Sequence, residues 1–248
     1  MKILDRLIQL LSDERQRDAA PNVKDDEKPA LFRALCNVRP PMPVSAEFIK
    51  LQDEYLSEIT LERGVVEVNE LDFKDGIALW QGDITRLAAD GIVNACNCKL
   101  LGCFQPLHGC IDNAIHSFAG VQVRLDCNDI MRGGDEQEGQ VKVTKAYNLP
   151  SKFIFHTVGP QVYGKVTDEN RQKLESCYIS CIEKANEMNL TTLAFCCIST
   201  GVYGYPKDQA AELAVRTVIE HKSNLNIIFC VFDEENYGIY ANLLGRTE

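Results

Sequence analysis

From about residue 70 onward the chain alternates between two hydrophobic periods, and few architectures accept both in turn. The runs IALW (77–80), GIVNA (91–95), QVKVTKAYNL (140–149), FIFHTV (153–158), LAFCCI (193–198) and NIIFCVF (226–232) are short, rich in β-branched and aromatic residues, and bounded by turn signals. They predict strands. Helical spacing appears between several of them: IDNAIHSFAG after residue 110, the stretch from about Asp168 to Met188, residues from about Lys207 to His221, and a last run after Asp233. Strands alternating with helices imply an α/β fold, a three-layer α/β/α domain around a central, largely parallel sheet covered on both faces. Ligands of such sheets bind beyond the carboxyl ends of the strands, so the segments just after strands carry the functional expectation.

The first 70 residues follow a different pattern. Five of the nine prolines (Pro21, Pro29, Pro40, Pro41, Pro43) fall there, whereas Gly64 is the one glycine of sixteen that does. Apolar residues recur at helical spacing, first at Ile3, Leu4, Leu7, Ile8 and Leu11, then at Phe48, Leu51, Tyr55 and Ile59, with Ser45 placed to cap the second helix and Gly64 to stop it. Residues 1–70 therefore read as an N-terminal helical extension and residues 71–248 as the main domain. The extension has no titratable constellation that suggests chemistry, so a packing or partner-docking role is expected of it.

Charge and cysteine usage narrow the function classes. With 26 basic and 36 acidic residues the net charge is -10, which repels polyanions and argues against nucleic acid held by bulk attraction; an anionic ligand must be held locally. No apolar run approaches the roughly 20 residues needed to span a membrane. The opening MKILDRLIQLLSDERQRDAA breaks its apolar stretches with Asp5, Arg6 and Asp13, so no leader is expected and a cytoplasmic location is. Thiols stay reduced there. Of the eleven cysteines, Cys177, Cys181, Cys196, Cys197 and Cys230 are expected to be core filler.

Four segments sit where binding loops belong. In Gly82-Asp83-Ile84-Thr85 the Asp83 carboxylate could accept a hydrogen bond from an exocyclic amine while a neighbouring N–H donates to a ring nitrogen, a pair that would read adenine; Asp83 could equally cap the next turn. The loop from Ser199 to Pro206 contains Gly201 and Gly204 and precedes a helix, so its backbone N–H groups can turn toward one point and hold phosphate without lysine. Asn94-Ala95-Cys96-Asn97 offers two amides that could bond sugar hydroxyls or tie the loop to itself. Between residues 101 and 113, Cys103, His108 and Cys110 could converge on one zinc ion, because Gly102, Pro106 and Gly109 bend the chain. Three protein ligands leave a coordination position open, the arrangement of catalytic rather than structural zinc; a reduced, metal-free loop is the alternative.

These segments in this order resemble the macrodomain family of ADP-ribose-binding modules. The likeness runs from about residue 75 to 240 through GDIT, IVNACN, IDNAIHSFAG, GQVKVTKAYNLPSKFIFHTVGP and ISTGVYGYP. The loop from Cys103 to Cys110 departs from the common glycine run and is similar to the zinc-containing subfamily, whose members remove ADP-ribose from proteins; the helical extension is similar too. The resemblance implies a mixed central sheet and Zn2+ on Cys103, His108 and Cys110. It further implies Asp83 on the adenine amine and Ile84 N–H on the adenine ring. Asn97 falls on the distal ribose, the backbone of Ser199, Thr200, Gly201, Val202 and Tyr203 around the diphosphate, and Phe232 against the adenine face. Asp112 takes the helix-start carboxylate position, where it could orient a water or the distal ribose, or only cap the helix; Asp112 and Asn97 are the catalytic candidates. His116, one turn on, is expected to be a buried, hydrogen-bonded histidine rather than a fourth ligand. Cys96 replaces the usual alanine of the Asn-Ala-Ala-Asn turn.

The implied function is zinc-dependent hydrolysis of mono-ADP-ribose from modified proteins, preferably at acidic side chains, where the leaving carboxylate makes the bond easiest to break; serine- and arginine-linked ADP-ribose are the alternatives the sequence leaves open. Two thiolates and one neutral imidazole leave the ion and its ligands without net charge, which tempers the acidity of the site. A non-catalytic reader braced by structural zinc and an O-acetyl-ADP-ribose deacetylase are the competing readings. The expected partners are ADP-ribose and the modified protein, with no nucleic acid and no membrane, acting as a monomer.

Overall fold

Five parallel strands form the middle of a seven-stranded sheet in the computed structural model, which describes residues 2–15 and 23–246. Pro21, residues 16–20 of the opening segment and the last two residues lie outside them. The strands are β1 (Phe73–Lys74), β2 (Ile77–Gln81), β3 (Gly91–Ala95), β4 (Val141–Lys145), β5 (Phe153–Thr157), β6 (Thr192–Phe195) and β7 (Asn226–Val231), in the spatial order β1-β2-β7-β6-β3-β5-β4. Antiparallel partners close both edges, β1 on β2 and β4 on β5, so the sheet is mixed as expected. The central strands β3, β6 and β7 are buried along nearly their whole length, which is why they read as continuous apolar runs rather than as alternation.

Helices α4 (Ile111–Ala119) and α5 (Val121–Met131) pack over β3 and β4, while α6 (Asp168–Glu187), α7 (Lys207–His221) and α8 (Glu234–Leu243) contact one another in series and reach β2, β4, β5 and β7. Gly120 separates α4 from α5 at φ 102°, and a Cβ there would meet the Gln52 amide at 2.6 Å. Among the described residues no helix is long and apolar enough to cross a membrane.

The first residues form α1 (Lys2–Glu14), α2 (Lys28–Asn37) and α3 (Ala46–Glu62). Leu4, Leu7, Ile8, Leu11, Phe32, Leu35, Phe48 and Leu56 make a second apolar cluster that closes on Val121 of α5. Ser45 Oγ accepts the Phe48 N–H at 3.1 Å to cap α3, and Gly64 follows its end at φ 77°.

Three features differ from the sequence expectation. The run 140–149 is a strand only to Lys145; beyond it Tyr147 turns at φ 52° and Leu149 N–H bonds back to Ala146. Cys196 and Cys197 lie past the end of β6, where an apolar run continues into a loop beneath a cleft. Helices α2 and α5 and strand β1 carry patterns too short or too mixed to stand out.

Asp90, just before β3, ties three chain segments together. Its Oδ2 accepts from Thr191 N–H at 2.8 Å, Thr191 Oγ1 at 2.6 Å and Thr192 N–H at 3.1 Å, and its Oδ1 from Lys152 Nζ at 2.6 Å. Burial opposes ionisation, but the bonds from Lys152 and Thr191 outweigh it and hold the carboxyl below the usual carboxylate range. Asp90→Ala is therefore expected to cost about 2–4 kcal/mol of stability. Because the folded pKa is depressed, the difference from wild type should be full above roughly pH 4 and narrow as the pH falls further, which thermal unfolding across that range checks.

Candidate active site

The segments after β2, β3, β6 and β7, with Gly159 beyond β5, open onto one cleft of about 1070 Å³ at the carboxyl edge of the sheet. Every site residue expected from sequence lines it: Asp83, Ile84, Asn97, Cys103, His108, Cys110, Asp112, Ser199 to Tyr203, and Phe232. Its size suits a small organic ligand of nucleotide dimensions.

Asp83 both caps and faces the cleft. Its Oδ1 accepts Thr85 N–H at 3.0 Å and Thr85 Oγ1 at 2.6 Å, which fixes the turn, while Oδ2 pairs with Arg63 from the end of α3. The Arg63 guanidinium lies 3.7 Å from the centroid of Phe118 on α4. Ile84 opens the short turn Ile84–Arg86, so its N–H has no partner within that turn. Phe232, directly after β7, is 79% exposed. That exposure removes core burial as its reason for being aromatic. If a base stacks there, Phe232→Ala should weaken ADP-ribose binding by about 1–3 kcal/mol and leave thermal stability unchanged, as calorimetry and unfolding would show.

The loop after β6 is held by its own turns: Ser199 stands at φ 65° and its carbonyl accepts Tyr205 N–H at 3.0 Å, while Gly204 N–H bonds Gly201 O at 3.0 Å. Left-handed backbone is needed at Ser199 and at Gly204 (φ 68°), not at Gly201, where a Cβ would meet open space. The backbone at Gly201 therefore does not require glycine; only a ligand in that space would exclude a side chain. Gly159 is a residue sequence reasoning missed. A Cβ on it would stand 2.1 Å from Ser199 Oγ and 2.7 Å from Ile198, so the loop can lie where it does only over a glycine.

The two amides after GIV do different things. Asn97 donates to Gly102 O at 3.2 Å and accepts Lys99 N–H at 3.0 Å, so it shapes the loop at the cleft. Asn94 is fully buried inside β3 and donates through Nδ2 to Asp112 Oδ1 at 2.9 Å and toward His156 Nδ1 at 3.2 Å. It does not reach a sugar; it positions a carboxylate. Asp112 is 5% exposed at the start of α4, and burial pushes its carboxyl up to about 6 against the stabilising Asn94 bond.

His116 is buried as expected, but neither ring nitrogen has a hydrogen-bond partner. Its Nε2 lies 3.5 Å from Asp112 Oδ1, and burial holds its pKa well below normal, so the contact is not an ion pair. His116, Cys127 and His156 form a buried cluster apart from the cleft loop. The Asn94 amide donates to His156 Nδ1, which assigns the ring proton to Nε2, beside Thr144 Oγ1 at 2.9 Å.

Cys103, His108 and Cys110 converge. Their Sγ and ring-nitrogen atoms all lie within 4.8 Å of one another, with Cys103 Sγ 3.6 Å from His108 Nδ1. A donor set of two sulfurs and one imidazole at that separation suits a zinc ion. Burial pushes the Cys110 thiol up to about 11, so binding a cation there releases a proton. Cys110 Sγ also accepts the Asn113 N–H at 3.4 Å and thereby caps α4. Arg33, Arg63 and Phe118 complete the cleft wall; no contiguous sequence signal marks them, because two come from the extension.

A parallel-cored sheet whose strand ends gather an acidic turn, an N–H-rich loop, an amide turn and an acidic helix start around one cleft defines a macrodomain. The chain belongs to the macro domain family, whose model matches residues 93–214. A protein-ADP-ribose hydrolase of Staphylococcus aureus is 48% identical over 225 residues, covering 87% of this chain and 84% of that protein. One from Treponema medium is 45% identical over 232 residues, covering 89% of each. An ADP-ribose glycohydrolase of Xenopus laevis is 37% identical across 98% of this chain and 53% of its own length. Among solved structures, the Trypanosoma brucei macrodomain in complex with ADP-ribose superimposes with a TM-score of 0.65 at 30% identity, covering 86% of this chain and 95% of that one. The Oceanobacillus iheyensis macrodomain with ADP gives 0.62 at 36% identity, covering 68% and 90%.

Proposed function

We propose that the chain is a zinc-dependent hydrolase that removes mono-ADP-ribose from acidic side chains of modified proteins. One observation carries the reading. Along the carboxyl edge the strand order β2, β7, β6, β3 presents Asp83, then Phe232, then residues 199–203, then Asn97, which is the order adenine, diphosphate, distal ribose. Three strand spacings separate the ends, about 14 Å, a span for an extended dinucleotide-like ligand. The hydrolases similar in sequence and the macrodomain solved with ADP-ribose support the same ligand and reaction class.

In this reading Asp83 accepts from the adenine amine, Ile84 N–H donates to the ring and Phe232 covers its face. Backbone N–H groups of Ser199 to Tyr203 hold the diphosphate, a means of anion binding that suits a protein of net charge -10. Asn97 orients the distal ribose. Asp112, held by Asn94 beneath that end, orients the water that replaces the leaving carboxylate at the ribose. Cys103, His108 and Cys110 would hold zinc at the same end, and when bound the ion supplies Lewis-acid polarisation of an oxygen.

The test is release of ADP-ribose from proteins modified on glutamate, on serine and on arginine, with O-acetyl-ADP-ribose as a fourth substrate. Fastest release from the glutamate ester is expected. Tight binding of every modified protein without release would replace the hydrolase by a reader, and turnover confined to the acetyl metabolite would replace it by a deacetylase.

A further inference from the structure

We propose that α2 of the N-terminal extension forms the outer half of the metal site, with Asn37 and Arg33 as positioning residues that hold residues 101–110 in the shape that brings Cys103, His108 and Cys110 together. The proposal rests on the zinc reading above. It gives the extension a role that its sequence, empty of chemical constellations, does not suggest.

Residues 101–110 contain no helix or strand, and Leu107, next to His108, stands at φ 56°, a left-handed backbone that a leucine rarely adopts. Something outside the loop must hold that turn. Leu107 N–H donates to Asn37 Oδ1 at 2.9 Å, and Asn37, 1% exposed at the end of α2, donates in turn to Ser117 Oγ on α4 at 3.0 Å. Arg33, one turn earlier on α2, donates from Nε and Nη2 to Asn113 Oδ1 at 3.2 and 2.8 Å and from Nη2 to His108 O at 3.5 Å. Asn113 Nδ2 then donates to Gln105 O at 3.0 Å. The residue before His108 and the carbonyl of His108 itself are both tied to α2.

A second tie runs through the loop's first residue. Arg124, buried on α5, donates to Leu101 O at 2.6 Å and to Cys36 O of α2 at 2.8 Å, and its guanidinium lies 4.5 Å from the centroid of the Phe104 ring. These bonds reach backbone atoms of the loop and use none of the three donor atoms, which lie within 4.8 Å of one another. A metal that binds a loop so held need not order it, and groups outside the ligand shell commonly set affinity in this way.

The experiment measures zinc affinity by competition with a chromophoric chelator, ADP-ribose affinity by calorimetry, and the melting temperature of the metal-free protein. Asn37→Ala is expected to weaken zinc at least tenfold while ADP-ribose binding stays within twofold. Asn37→Asp, which keeps the acceptor for Leu107 N–H, should recover most of the zinc affinity, whereas Asn37→Leu, which fills similar space without an acceptor, should not; equal recovery in both would mean that packing alone matters at this position. Arg33→Ala, a change at a half-buried side chain that the fold tolerates more readily, should weaken zinc about threefold or more, which keeps the test decisive if Asn37→Ala does not fold. Wild-type zinc affinity in both Arg33→Ala and Asn37→Ala, or in Arg33→Ala alone where Asn37→Ala does not fold, would overturn the proposal and leave the zinc reading standing. A wild-type protein that takes up no zinc would overturn both.

Discussion

Cys103→Ser and Cys110→Ser proteins are expected to carry no stoichiometric zinc and to release ADP-ribose at least a hundredfold more slowly than wild type, while binding free ADP-ribose within a few-fold. A thiolate is the ligand that a Cys, His, Cys set supplies, and a serine hydroxyl does not give up its proton to replace it. The fold should survive, at Cys110 for a specific reason. Its sulfur caps α4 by accepting the Asn113 N–H, and serine is among the better residues at that position. Asp112 therefore keeps its place at the helix start, and Asp83 and the Ser199 to Tyr203 loop, the proposed adenine and diphosphate contacts, follow β2 and β6 rather than the metal loop. Metal analysis, a release assay and calorimetry on the same preparations separate the three effects. Undiminished release from either zinc-free variant would remove the metal from the reaction.

Asp112→Asn is expected to lower kcat by about 10²–10⁴, the usual contribution of a positioned acid–base group, with KM changed little. Asparagine is chosen over alanine because Asn94 Nδ2 needs an acceptor at 2.9 Å; removing it would strand a buried donor and confuse folding with catalysis. The replacement amide can still accept that bond but cannot take a proton from water. Zinc content should stay at the wild-type level. A kcat within threefold of wild type would leave Asp112 only a structural role, as the buried acceptor for Asn94, since Cys110 is the residue that caps α4.

Much of this site was legible in the sequence because its parts are contiguous. A turn such as Gly82 to Thr85 or a loop such as Ser199 to Pro206 carries its own backbone chemistry, and the strand before it predicts that it faces the ligand edge. Parity along a strand was less informative. β3 is buried on both faces, so nothing in GIVNA shows that Asn94 turns inward to Asp112, while Asn97, two residues past the strand, shapes the cleft. The run LAFCCI could not reveal that β6 ends at Phe195, since the loop beyond it is itself buried under the cleft. Contacts between distant segments were illegible altogether. Asn37 meets Leu107 across 70 residues and Arg33 meets Asn113 across 80, and no periodicity encodes such pairs. Gly159, over which the loop from Ser199 lies, follows β5 whereas that loop follows β6, with β3 between them in the sheet, so it carried no signal of its own.

The most direct test of the central claim is a titration of wild-type protein between its metal-free and zinc-loaded states, with ADP-ribose release from a glutamate-modified protein measured at each zinc occupancy and free ADP-ribose binding measured alongside. The account predicts release that rises in proportion to zinc, to one ion per chain, is lost on chelation and is restored when zinc is returned, while nucleotide binding persists in the metal-free state. Full release at zero occupancy would contradict it.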